Sequence, residues 1–177
     1  FNITINALPV ASISSNIGES ISKGETAILT ATGGNSYEWS NSAGIINGQN
    51  SAALTVRPLE TTTYTVKVSN ASGCESSTSI TIRVKDDFQA IKPENFITPN
   101  GDGINDVWVV KNIDAYPDHA LTVVDRGGRK VYEARNYSND WDGTVGGNPL
   151  QEGTYYYIFL FDDPDVSPMK GFITIVR

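Results

Sequence analysis

Apolar residues in this chain recur at every second position and almost nowhere at the spacing of an amphipathic helix. Ala27, Leu29 and Ala31 alternate with Ile28 and Thr30, and Tyr37 and Trp39 flank Glu38. Tyr64, Val66 and Val68 are separated by Thr65 and Lys67, and Ile80, Ile82 and Val84 by Thr81 and Arg83. A strand sends successive side chains to opposite faces, so each run offers one face to a core and one to water. Turn-forming clusters at Gly33-Gly34-Asn35, Asn47-Gly48 and Asn70–Gly73 punctuate the runs. About seven short strands in the first half, with turns every 8–12 residues or so, describe a β-sandwich with Trp39 as its core plug. The fold class expected is all-β, as two tandem β-sandwich domains.

The domain count follows from a break in composition. Residues 1–85 hold 25 Ser and Thr and four aromatics, whereas residues 86–177 hold seven Ser and Thr and thirteen aromatics. Charge divides at the same place: five basic and five acidic residues before it, eight basic and fifteen acidic after it, so the second part carries the whole net charge of −7. A boundary near Lys85-Asp86-Asp87 is therefore expected, with domains at 1–85 and 86–177. The 177 residues suffice to bury a core. An acidic chain is a poor ligand for nucleic acid. No apolar run approaches the length of a membrane-spanning helix. One His, one Cys and one Met leave no material for a Cys/His zinc cluster or a CxxC pair. The start at Phe1, with neither Met nor a signal peptide, reads as a piece cut from a longer protein. The far end reads as a strand serving as a natural terminus.

Residues 96–106 read Phe-Ile-Thr-Pro-Asn-Gly-Asp-Gly-Ile-Asn-Asp. Pro99 sets one turn torsion, and Gly101 and Gly103 permit positive φ. Asn100, Asp102, Asn105 and Asp106 supply oxygens of the kind a hard cation takes, so Asn100, Asp102, Ile104, Asn105 and Asp106 form a candidate calcium site. The spacing is not that of an EF-hand, since Asn105 and Lys111 stand where Gly and a bidentate Glu belong. The competing reading is a tight turn whose Asx side chains bond their own backbone. Val107–Lys111, Leu121–Val124, Lys130–Glu133, Thr154–Phe161 and Gly171–Val176 read as strands, with a hairpin turn at Arg126–Arg129. Trp141 is expected to anchor its loop on the core, Asp140 and Asp142 to cap local backbone, and the acidic loop 162–165 to be solvated. No nucleophile–base pair is legible, and His119, beside Asp118, reads as a loop residue. No enzyme is expected.

The first half resembles the immunoglobulin-like, PKD-like repeats of bacterial surface proteins through Gly24-Glu25, Tyr37-Glu38-Trp39-Ser40, Thr61–Val66 and Gly73-Cys74. Those repeats often carry a second cysteine before the Gly-Glu turn. Here that stretch is Ile21-Ser22-Lys23-Gly24, so Cys74 has no partner in the chain. The second half resembles the gliding-motility-associated C-terminal domain, the type B sorting domain of type IX secretion. The match runs from the 96–106 motif through Trp108, Tyr116-Pro117, Val131-Tyr132, Tyr137, Trp141-Asp142-Gly143 and Gly153–Tyr157 to Lys170–Arg177. One position departs: Gly127 stands where the family's hairpin has Trp, while Arg126 and Gly128 persist.

The resemblance implies immunoglobulin-like sandwiches and a secretion and surface-attachment module at the end of a large exported protein or adhesin. Its implied partners are the type IX translocon and an outer-membrane β-barrel of the PorP/SprF kind. Its implied route is through the periplasm and outer membrane to the cell surface. Candidate partner contacts are Arg126 and the terminal run Lys170, Gly171, Phe172, Ile173, Thr174, Ile175, Val176 and Arg177, offered as an edge strand. The Asn100–Asp106 loop is a second candidate contact region. No cofactor is required, with calcium the one candidate. The alternative function is a calcium-dependent carbohydrate-binding or adhesive module.

Overall fold

The computed structural model describes residues 6–163 and 165–177. Phe1, on which the fragment reading rests, and Pro164 of the acidic loop lie outside the described residues. The chain divides into two compact units, Phe1–Ala90 and Ile91–Arg177.

The first unit is built from β1 (Ser12–Ser15), β2 (Ser20–Ser22), β3 (Ala27–Thr32), β4 (Ser36–Trp39), β5 (Ile45–Asn47), β6 (Ala53–Val56), β7 (Thr62–Ser69) and β8 (Glu75–Lys85). They form two four-stranded sheets, in the orders β1-β3-β6-β5 and β2-β8-β7-β4. Alternation explains what lies between them. Ala27, Leu29 and Ala31 of β3 and Leu54 and Val56 of β6 meet Trp39, Tyr64, Val66, Val68, Ile80 and Ile82 of the other sheet in one buried cluster. The aromatics bring polar atoms inward and satisfy them: Trp39 Nε1 donates to Ser51 O at 2.9 Å, and Tyr64 Oη to Ala43 O at 2.7 Å. On the outward side of β7 and β8, hydroxyls pair across the strands, Thr63 with Thr81 at 2.8 Å and Thr65 with Ser79 at 2.9 Å. The Asn47-Gly48 turn needs its glycine, because φ is 91° and a Cβ would lie 2.1 Å from Ala53 O.

The second unit contains β9 (Lys92–Pro93), β10 (Phe96–Ile97), β11 (Val110–Lys111), a 3₁₀ turn at Ile113–Ala115, β12 (His119–Val124), β13 (Lys130–Arg135), β14 (Thr144–Val145), β15 (Asn148–Pro149), β16 (Gly153–Phe161) and β17 (Met169–Ile175). Its centre is a five-stranded sheet in the order β10-β17-β16-β12-β13. All neighbours are antiparallel except β10, which lies parallel to β17. The ladders β9/β11 and β14/β15 have two strands each. The inner face of the sheet carries Leu121, Val123, Tyr155, Tyr157, Phe159, Ile173 and Ile175, all buried. Trp108, Tyr137 and Trp141 are buried as well, and the Trp108 ring stacks on Phe159 at 5.8 Å and tilts against Tyr157 at 5.0 Å.

Two expectations change here. The strand expected over 107–111 shortens to Val110–Lys111, because Trp108 leaves the sheet pattern: its N–H bonds Trp141 O at 2.8 Å and its indole bonds Glu94 O at 2.6 Å. His119 is not a loop residue. It opens β12 and is 3% exposed.

Candidate functional site

The 98–106 loop is organised around its own carboxylates. Asp106 Oδ1 accepts the N–H groups of Asn100 at 3.0 Å and Gly101 at 2.7 Å, and Oδ2 accepts that of Gly103 at 2.8 Å. Asp102 Oδ1 accepts from Ile104 N at 2.8 Å, and Asn100 Oδ1 from Asp102 N at 2.9 Å. The Asn100 amide also donates to Asp102 Oδ2 at 3.0 Å. Thr98 ties the loop shut, its N–H on Asn105 O at 2.8 Å and its hydroxyl on Ile104 O at 3.1 Å. Gly101, Gly103 and Asn105 take the positive φ that lets those amides converge. The amides of Gly101, then Gly103, then Asn100 hold the Asp106 carboxyl below its ordinary pKa.

A calcium ion needs six to eight oxygens turned toward one point. Here both carboxylates are turned onto backbone N–H groups, and no group of three metal-binding side chains occurs among the described residues. In this arrangement the side-chain oxygens of Asn100, Asp102 and Asp106 accept the loop's own N–H groups. The loop is an anion-filled nest closed by Asx turns.

The terminal strand is the second site. Its expected status as a free edge is corrected along half its length. Thr174 N–H donates to Asn95 O at 2.8 Å and Val176 N–H to Ile97 O at 3.1 Å, so β10 covers the C-terminal end. No strand pairs with Met169–Ile173 on that side among the described residues. The candidate contact residues thus separate by environment. Ile173 and Ile175 are buried in the inner face. Gly171 lies against the Tyr157 ring. Arg177 is tied inward, its guanidinium donating to Leu150 O and Gly143 O and its N–H to Glu152 Oε1. Lys170 and Arg126 are exposed, and Phe172 is 49% exposed beside its cross-strand neighbour Tyr156 at 47%.

Sequence reasoning missed the polar anchors under this sheet. His119 Nε2 accepts the N–H of Tyr137 at 2.8 Å, which places the proton on Nδ1, and Nδ1 donates to Tyr116 O at 2.6 Å. Tyr137 Oη in turn donates to Trp108 O at 2.6 Å. Burial raises the Tyr137 phenol well above its ordinary range. Burial, reinforced by Asp140, pushes Tyr132 up to about 12. These groups hold loops to the sheet.

Residues 91–175 match the model of the CHU_C type IX secretion signal domain family. A type IX signal implies recognition by the secretion machinery and export to the cell surface or the extracellular space. No helix among the described residues is long and apolar enough to cross a membrane. No curated relative matches the sequence. Among solved structures, the chain is similar to the BSP domain of a biofilm-associated protein, at 13% identity and TM-score 0.37 over 95% of this chain and 30% of that one. It is also similar to SGBP-B of the Bacteroides ovatus mixed-linkage glucan utilization locus, solved with a mixed-linkage heptasaccharide. That match has 15% identity and TM-score 0.39, over 89% of this chain and 43% of that one. A third is dimeric latent PorU from Porphyromonas gingivalis, at 14% identity and TM-score 0.31 over 94% and 20%. The chain spans less than half the length of each of these three structures.

Proposed function

We propose that the chain is the sorting and surface-attachment end of a larger exported protein. Residues 86–177 act as a type B C-terminal signal, and residues 1–85 as an immunoglobulin-like spacer of an adhesin. The observation that carries this reading is the type IX signal match across 91–175. In this proposal the domain folds in the periplasm, is recognised there, passes the outer membrane through the type IX translocon, and stays at the surface without covalent lipid linkage. Its anchoring partner is an outer-membrane β-barrel of the PorP/SprF kind. Lys170–Arg177, Arg126 and the Asn100–Asp106 loop are the candidate contact regions. The exposed Lys170, Phe172 and Arg126 support the first two by being available, and the ordered, self-closed loop supports the third by presenting a fixed shape. No enzymatic step enters the proposal. Calcium stays outside it, since the loop oxygens serve the backbone. The reading is tested by fusing the chain to a reporter and asking whether the reporter reaches the cell surface only when the type IX translocon is present.

A further inference from the structure

The central strand of the sheet outruns one of its neighbours. β12 ends at Val124, opposite Tyr156, where the chain turns away through the 125–129 hairpin, while β16 already begins at Gly153. Hydrogen-bonding groups on a strand alternate between its two sides. Thr174, opposite Thr154, directs its N–H away from β16 onto Asn95 O. Thr154 therefore directs its own main-chain N–H and C=O away from β17, into the space that β12 vacates. That space is a groove of about 900 Å³ between the hairpin and the start of β16. Its size is that of a small-ligand cleft. The lining is polar and balanced in charge: Asp125 and Glu152 line it together with Arg126 and Arg129. Asp125 holds Arg129 at 3.0 Å, and Glu152 Oε1 accepts the N–H of Arg177 at 2.7 Å. The exposed aromatic ring of the lining is Tyr156, which stands between Val124 and Phe172 on the outer face.

Two carboxylates against two cations select neither an acidic nor a basic partner. One outward-facing residue, Thr154, is too short an edge for an added strand, which bonds main-chain groups in a row. The lining suits a ligand that carries hydroxyl donors and acceptors on its rim and C–H groups on its face. We infer that this groove binds a neutral oligosaccharide. One sugar ring lays its C–H face on Tyr156, and its hydroxyls bond the Arg126 guanidinium, Glu152 Oε2 and the main chain of Thr154. The inference goes beyond the sorting reading and does not depend on it.

The purified full chain is run in native gels cast with soluble neutral polysaccharides: hydroxyethyl cellulose, xyloglucan, galactomannan and dextran. Wild type is compared with Tyr156→Ala, Arg126→Ala and Leu160→Ala, and a thermal midpoint is measured on each. At least one polysaccharide is expected to retard the wild-type chain. Tyr156→Ala is expected to weaken that binding about tenfold, the worth of an aromatic platform. Arg126→Ala is expected to weaken it about three- to tenfold, the worth of one hydrogen bond. Arg126 is exposed on the hairpin, so this variant carries the test if Tyr156→Ala misfolds. Leu160 is exposed on the same face but does not line the groove, and its replacement is expected to leave binding unchanged. No retardation in any of the four gels would overturn the inference. Equal losses in Leu160→Ala and Tyr156→Ala would overturn it in favour of adsorption to the apolar face, and retardation abolished by high salt would overturn it in favour of a charged partner. The gels need no secretion machinery, so failure here leaves the sorting reading standing.

Discussion

Gly171 lies directly beneath the ring of Tyr157: a Cβ at position 171 would stand 2.3 Å from Tyr157 Oη and 2.5 Å from Cζ. The two residues face each other in the β16–β17 register, so the ring covers a strand position that has no side chain of its own. Gly171→Ala forces the ring or the terminal strand to move. The expected loss is about 1–3 kcal/mol of stability, typical of overpacking a filled site. Urea denaturation followed by Trp fluorescence measures it, and an unchanged midpoint would mean that Tyr157 swings clear without cost.

Asp106 is expected to govern the order of the 98–106 loop. Its carboxylate is held below its ordinary value of 3.8 by the Gly101, Gly103 and Asn100 amides. A depressed folded pKa stabilises the loop above the ordinary value, and that contribution disappears as pH falls through the lower folded one. Amide exchange at Gly101 and Gly103 should therefore be protected at neutral pH and accelerate below pH 4, and Asp106→Ala should show fast exchange at every pH. Equal protection in the variant would remove Asp106 from its central place.

Calcium titration makes a separate test of that loop. With the carboxylates of Asp102 and Asp106 bonded to backbone N–H groups, calorimetry of the intact chain is expected to show no saturable heat. A stoichiometric site lost in Asp102→Ala with Asp106→Ala would show that the ion displaces the amides.

His119 should prove structural. Replacing it by Ala leaves the Tyr116 carbonyl and the Tyr137 N–H without their partner and opens a hole beside Phe159. The expected cost is about 2–5 kcal/mol. Equilibrium unfolding of His119→Ala checks it; a change under half a kilocalorie or so would place the residue outside the framework.

How far the sequence reveals this molecule depends on how local each cause is. In Thr62–Ser69, Tyr64, Val66 and Val68 are buried as their alternation requires, and Trp39 sits in the core. His119 carries the same signal, since it shares parity with Leu121 and Val123, yet beside Asp118 it reads as a loop residue. The two-residue strand at Phe96–Ile97 had no such signal. It exists because Asn95 and Ile97 meet Thr174 and Val176 across a long stretch of chain, and nothing in Thr98-Pro99 announces that contact. The loop oxygens were visible as residue types, whereas their direction, onto amides rather than toward a common centre, depends on φ values at Gly101, Gly103 and Asn105. The half-covered terminal strand is hidden for the same reason: whether an edge is open is settled by its neighbour.

The most direct measurement is protease accessibility of a reporter fused ahead of the full chain, in intact cells with and without a functional type IX translocon. If residues 86–177 act as the sorting signal, added protease removes the reporter in competent cells, and the reporter stays protected in the periplasm of translocon-deficient ones. Protection in both, or equal exposure in both, would contradict it.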